Sequence, residues 1–135
     1  MKKASISFIL LISIALSACK KDPPIPPFKF YEGIGTLSVG QSGLFYLKDT
    51  TEPIELKFVK VVSDSRCPEG AMCAFAGFVS VEILLDKTVT KVIPELQNPT
   101  DYKGYKIVVN QVTPYSKTWT SIKKSDYRID FKIYK

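Results

Sequence analysis

Tyr127-Arg128-Ile129-Asp130-Phe131-Lys132-Ile133-Tyr134 alternates without a break. Tyr127, Ile129, Phe131 and Ile133 fall on one face, and Arg128, Asp130 and Lys132 on the other. Successive side chains of a β-strand point to opposite faces, so a period of two reads as a strand with one buried side. The same period recurs upstream. Ile54-Glu55-Leu56-Lys57-Phe58 alternates apolar with charged and then slips: Val59 is apolar where a polar residue is due, and Lys60 is polar where an apolar one is due. A β-bulge produces such a one-residue slip, so we expect a bulge or bend near Phe58-Val59. Val79 to Leu85 puts Val79, Val81, Ile83 and Leu85 on one face. The short turn Asp86-Lys87 then leads to Thr88–Ile93, which fits a hairpin, and Pro94 is expected to end that strand.

Outward from these segments the signals weaken. Tyr105 to Val112 reads as a strand. Thr36-Leu37-Ser38-Val39 and Leu44-Phe45-Tyr46-Leu47 are shorter candidates around a Gly40-Gln41-Ser42-Gly43 turn. Phe28-Lys29-Phe30-Tyr31-Glu32 fits either an edge strand or a lead-in. Asp49–Pro53 is a loop, Gln97–Asp101 has turn chemistry, and Thr113–Asp126 is a polar loop holding Pro114 and the single tryptophan, Trp119. About seven short strands and no helix of useful length point to one all-β domain over residues 34–135. We expect an antiparallel β-sandwich, immunoglobulin-like or related.

The N-terminus is an address. Met1-Lys2-Lys3 is a short positive region, and Ala4 to Ala15 is apolar, with Phe8-Ile9-Leu10-Leu11-Ile12 at its centre. It is too short for a membrane span and reads as a secretory signal over residues 1–18. Its end, Leu16-Ser17-Ala18-Cys19, resembles the bacterial lipobox. That resemblance implies cleavage before Cys19, lipid on its thiol and an acylated new N-terminus. Several acyl chains anchor stably where one does not. Residues 19–33 are then the lipidated cysteine and its tether, in which Pro23, Pro24, Pro26 and Pro27 favour extended polyproline-like chain. Lys20-Lys21-Asp22 partly resembles the signal that sends some Gram-negative lipoproteins to the cell surface, although Pro23 stands where a second acid is usual. The expected location is the bacterial cell envelope, at the outer membrane, on its periplasmic or surface face.

Composition narrows the chemistry. The formal charge is +6, and loss of Lys2 and Lys3 lowers it by two. The lysines are scattered, whereas nucleic-acid binding needs a basic patch or stripe, so no nucleic-acid partner is expected. There is no histidine. That excludes Ser-His-Asp and Cys-His catalysis and removes the commonest neutral metal ligand. Glu69, Asp64 and Glu95 are carboxylates, but no spacing selects two of them for acid–base work.

Between the Ile54 and Val79 strands lies Asp64-Ser65-Arg66-Cys67-Pro68-Glu69-Gly70-Ala71-Met72-Cys73-Ala74-Phe75-Ala76-Gly77. With Cys19 taken by lipid, Cys67 and Cys73 remain as a pair, and export to an oxidising compartment makes a disulfide the expected state. The alternatives are a thiol redox centre or a soft-metal site with Met72. The spacing is not C-x-x-C and one methionine is a poor copper signature, so we expect no metal and no cofactor. Arg66 has two open roles, an exposed contact to an anion or ligand and an internal brace whose donors are taken by Asp64 and backbone carbonyls. We expect the brace. Phe75 reads as a packed aromatic, and Ala76-Gly77 as a close approach of backbones.

Asp64-Ser65-Arg66-Cys67-Pro68, then Cys73, then Phe75-Ala76-Gly77, resembles the mark of a group of small exported bacterial lipoproteins of uncharacterised function. In that group a Trp often precedes Ala-Gly, where this chain has Phe75. The resemblance covers most of the chain and implies location and fold, not an activity. Two functions are carried forward. The first is a non-catalytic envelope lipoprotein, held to the membrane by its N-terminal lipid, whose sandwich binds an envelope protein or glycan. The second is a carbohydrate-associated accessory or inhibitor module that stacks ligand on Tyr102, Tyr115 and Trp119.

Overall fold

The computed structural model describes the backbone of Phe28–Phe30 and residues 33–48, 51–117 and 120–135. The signal segment, Cys19, the proline tether, Tyr31-Glu32 and Trp119 lie outside the described residues. The fold is all-β, with two antiparallel sheets packed face to face as a β-sandwich. Nine strands are present among the described residues: β1 (Phe28–Phe30), β2 (Ile34–Ser38), β3 (Ser42–Phe45), β4 (Ile54–Asp64), β5 (Val79–Leu85), β6 (Val89–Pro94), β7 (Thr100–Tyr102), β8 (Tyr105–Thr113) and β9 (Arg128–Tyr134). One sheet has the order β1-β3-β4-β5-β6 and the other β2-β9-β8-β7. The runs β3-β4-β5-β6 and β7-β8-β9 follow chain order, whereas β1 lies beside β3 and β2 beside β9 in the opposite sheet, which differs from the interleaved order of immunoglobulin domains. Among the described residues no helix is long and apolar enough to cross a membrane.

The core follows the alternation. Val79, Val81, Ile83 and Leu85 of β5 face Ile107, Val109, Ile129 and Phe131 of the other sheet, all buried. Phe45 and Phe131 meet across the interior edge to face, with ring centroids 4.9 Å apart. Edge-to-face contact sets the positive rim of one ring against the negative face of the other. Arg128 and Lys132 are exposed, and Asp130 is half-buried because its Oδ1 accepts a hydrogen bond from Thr36.

Two strands beyond the expected seven complete the sheets. β1 runs parallel to β3 at the edge, so the first sheet includes chain upstream of residue 34. β7 pairs with β8 through a two-residue turn at Lys103-Gly104, where both residues have positive φ. A two-residue loop of that kind matches the twist of a hairpin. A three-residue loop, Asp86 to Thr88, joins β5 to β6, and Asp86 and Lys87 there also have positive φ. The Gly40 turn does not make a hairpin. It carries the chain from β2 in one sheet to β3 in the other, and Phe58 ties it down by exchanging backbone hydrogen bonds with Gly40 and Gln41.

The bulges aim the end of the molecule that carries the cysteine loop. Opposite β5, the register of β4 slips between Phe58 and Lys60, where expected, and again between Val61 and Ser63. Each bulge inserts one residue and reverses which parity faces the core. Inward positions therefore run Ile54, Leu56, Phe58, then Val61, then Asp64 and Arg66. Without the second bulge, Asp64 and Arg66 would point to the outer surface. β8 bulges at the same end, between Val109 and Gln111, which turns Val112 inward beneath Arg66.

Candidate functional site

Beyond β4 and β5 the two chains stay paired for one more turn. Ser65 N–H donates to the Phe78 carbonyl and Cys67 N–H to the Ala76 carbonyl, so the cysteine loop leaves the sandwich as an extended hairpin. Gly77, with φ of 69°, closes this ladder, and a Cβ there would overlap the Ser65 carbonyl. The expected backbone approach at Ala76-Gly77 is therefore real, and glycine is the residue that permits it. Cys67 and Cys73 are bonded to each other, with Cα atoms 5.9 Å apart. On its other flank the loop is held by the chain between β8 and β9. Glu69 N–H donates to the Ser116 carbonyl, and Glu69 forms a parallel bridge with Lys117.

Arg66 is the centre of this end, and it is 6% exposed. Its Nε donates to Asp64 Oδ1 at 2.9 Å and its Nη2 to Asp64 Oδ2 at 2.7 Å, a two-pronged pairing that suits the planar guanidinium. Nη1 donates to the Val112 carbonyl at 2.6 Å, and Nη2 also donates to the Pro114 carbonyl at 3.1 Å. Glu95 Oε2 lies 3.9 Å from Nη1, while its Oε1 accepts from Val112 N–H. Tyr115 lays its ring over the guanidinium, 4.6 Å from centroid to carbon. Each nitrogen of the guanidinium has an acceptor, so the geometry is that of the brace. One side chain joins β4, the β6–β7 connection and the end of β8.

Asp64 is the matching acceptor. Besides the Arg66 side chain it takes Arg66 N–H and, at 3.0 Å, the hydroxyl of Tyr127 at the head of β9. Burial pushes its carboxyl up, but the hydrogen bonds from Arg66 and Tyr127 outweigh that and hold it below the usual carboxylate range. Tyr127 moves the other way: burial, then the bond to Asp64, raises its hydroxyl above the ordinary tyrosine value. An ion pair this dry stands because every remaining donor is satisfied. Sequence reasoning named Asp64 and Arg66 but missed Tyr127, Glu95 and the Val112 carbonyl as their partners. Tyr127 lies 63 positions from Asp64, and no local pattern links them.

The loop tip differs from expectation. Phe75, read as a packed aromatic, is 85% exposed. The loop projects past the last layer of the core, so no opposing sheet remains for it to pack on. Met72 is fully exposed, and Phe78 and Val62 are half exposed. Of the aromatic candidates for ligand stacking, the two described ones, Tyr102 and Tyr115, do not share a surface. Tyr102 sits in β7, half-buried against the core, with its hydroxyl donated to Asp86 at 2.9 Å. Tyr115 is at the opposite end of β8, 42% exposed, with one face occupied by Arg66. Tyr102 and Tyr115 therefore form no common platform. Among the described residues no group of three or more Cys, Asp and Glu side chains is placed to hold a metal ion.

These features define a class: an all-β sandwich carrying a disulfide-closed loop locked by a buried arginine–aspartate pair. No protein-family model, curated protein or solved structure matches the chain.

Proposed function

We propose that this chain is an exported, lipid-anchored protein of the bacterial envelope, at the outer membrane, whose sandwich acts as a non-catalytic binding module. Leu16-Ser17-Ala18-Cys19 supports the anchor, and Pro23 to Pro27 supports a tether that holds the domain off the membrane. The observation that carries the module reading is the consumption of polar chemistry at the cysteine loop. Arg66, Asp64 and Tyr127 are spent on one another and on backbone carbonyls. The loop offers its surroundings a stiff apolar tip instead of an acid, base or nucleophile.

The anchor is tested by metabolic labelling with a fatty acid. Wild-type protein is expected to carry label and to fractionate with outer membrane, and Cys19→Ser is expected to lose both. Label persisting on Cys19→Ser overturns the lipid assignment. The module reading is tested by Arg66→Lys, which keeps the charge but lacks the planar fork. It is expected to destabilise the domain; unchanged stability would move Arg66 from brace to contact residue.

A further inference from the structure

The loop tip is an unusual place for large apolar side chains. Met72 and Phe75 stand free, with Phe78 and Val62 half exposed at the base of the same hairpin. Leaving a phenylalanine in water forgoes the stabilisation that burial would supply. The tip is also stiff, held by the disulfide, the Arg66 lock and the bonds from Glu69 to the β8–β9 chain. A rigid apolar tip is poised to enter an apolar medium without a large ordering cost.

The chain's own path says which medium lies nearby. β1 runs parallel to β3, with Phe28 opposite Gly43 and Phe30 opposite Phe45. β3 runs away from the cysteine loop, since Gly43 pairs with Leu56 and Phe45 with Ile54, at the start of β4. The chain therefore enters β1 heading away from the loop, and the residues before Phe28 approach from the loop's side. Leu56 pairs with Leu85, and six residue steps along β5 lead from Leu85 to Val79, at the loop's base. At the rise of a strand that is about 20 Å, and a hairpin tip four or five residues further adds roughly 15 Å. Nine residue steps join residue 19 to Phe28, and polyproline-like chain covers about 28 Å in that many. An anchor at Cys19 and the tip of the loop thus reach similar levels on the same side of the domain. Exposed Lys117, Lys123 and Lys124 of the neighbouring β8–β9 connection outnumber Asp126 there and Glu69 of the cysteine loop, which pairs with Lys117, and suit an anionic headgroup layer.

We propose that Met72 and Phe75 insert into the bilayer interface beside the lipid anchor, giving the domain a second membrane contact that fixes its orientation. This rests on the lipoprotein reading above. A single lipid attachment point holds a domain near a membrane but leaves its orientation open; a second apolar contact fixes it.

The test uses lipidated full-length protein in phosphatidylethanolamine–phosphatidylglycerol vesicles containing lipids brominated on the acyl chains, which quench tryptophan by contact. Trp119→Phe removes the native signal. Phe75→Trp then reports the tip, and Lys87→Trp, in the turn at the far end of the sandwich, is the control. The Phe75→Trp emission is expected to fall by about half and that of Lys87→Trp to stay unchanged. Loss of quenching is expected when Met72→Asp is added to Phe75→Trp. Equal quenching at both positions, or none at either, overturns the proposal, including the case where a protein or a second copy covers the tip. Fatty-acid content is measured in the same samples. Full lipid content without quenching at Phe75→Trp overturns the loop contact alone, whereas absent lipid overturns the anchor and the contact that depends on it.

Discussion

The two ends of the sandwich are each tied by an aspartate, and they use it differently. At the cysteine-loop end, Asp64 is nearly out of solvent and holds Arg66 and Tyr127. At the other end, Asp86 accepts from Glu55 N–H, from the Tyr102 hydroxyl and from the exposed Lys103 ammonium, and it bridges the β5–β6 turn to β7 of the opposite sheet. In both carboxyls burial raises the proton affinity and hydrogen bonding outweighs it, so both sit below the ordinary carboxylate range. The difference lies in what surrounds the cation. Arg66 is dry and has no solvent to fall back on, whereas Lys103 is wet. A dry pair acts as an obligate joint; a wet one trims stability at the margin.

The largest expected effect breaks the dry joint. Asp64→Ala leaves Arg66 buried without its carboxylate, and urea unfolding is expected to show a loss of about 3–5 kcal/mol. A loss below about 1 kcal/mol would mean that water enters and the two ends are alike.

Next is the covalent tie at the same end. Replacing both Cys67 and Cys73 by Ser is expected to cost about 2 kcal/mol by the ring-closure estimate for a loop this small. The core register should survive, because the Ser65–Phe78 ladder and the Arg66 lock remain. A near-unchanged spectrum of the core amides, with local loss of hydrogen-exchange protection over 67–76, is the signature to look for.

The wet end should respond less. Asp86→Asn keeps the positive-φ turn, which asparagine tolerates, and one acceptor, so a cost of about 1 kcal/mol is expected. Lys103→Ala is expected to leave stability within measurement error at moderate salt. A large effect of Lys103→Ala would erase the contrast.

Acid titration sharpens the comparison. Both carboxyls have folded values below the unfolded value of about 3.9, so their contribution is complete above that pH and is lost as pH falls through the folded values. Stability is expected to drop on acidification below about pH 4, and the drop to be shallower in Asp64→Asn than in wild type. Tyr127, raised by burial and Asp64, works in the opposite direction. Its contribution is complete below about pH 10 and is lost as pH rises through its higher folded value.

How far the chain could be read in advance depends on how local each cause is. The faces of β9 and β5, the first bulge of β4 and the Asp86-Lys87 hairpin are written in neighbouring residues, because alternation and turn conformation are properties of a few consecutive positions. The β7–β8 hairpin was equally local. Tyr102-Lys103-Gly104-Tyr105 carries a two-residue turn with glycine, and the pull of Asn98-Pro99 as turn chemistry hid it. The second bulge at Val62 and the bulge at Asn110 leave slips of the same kind, with Ser63 and Gln111 polar where an apolar residue is due, but both fall near strand ends, where polar residues also mark the run-out into a loop.

The cysteine loop divides along the same line. Once Cys19 is read as a lipid site, Cys67 and Cys73 are the pair that remains, and an arginine two positions from an aspartate suggests a brace, so Cys67–Cys73 and Asp64–Arg66 follow from composition and spacing. Tertiary structure alone decided the remaining partners: Tyr127, Glu95, and the carbonyls of Val112 and Pro114 come from three other stretches of chain, brought together when the bulges of β4 and β8 turn their ends inward. Tertiary structure also decided that Phe75 faces out. An aromatic side chain is buried only where another layer covers it, and whether the sheets reach that far is set by strand lengths elsewhere in the fold.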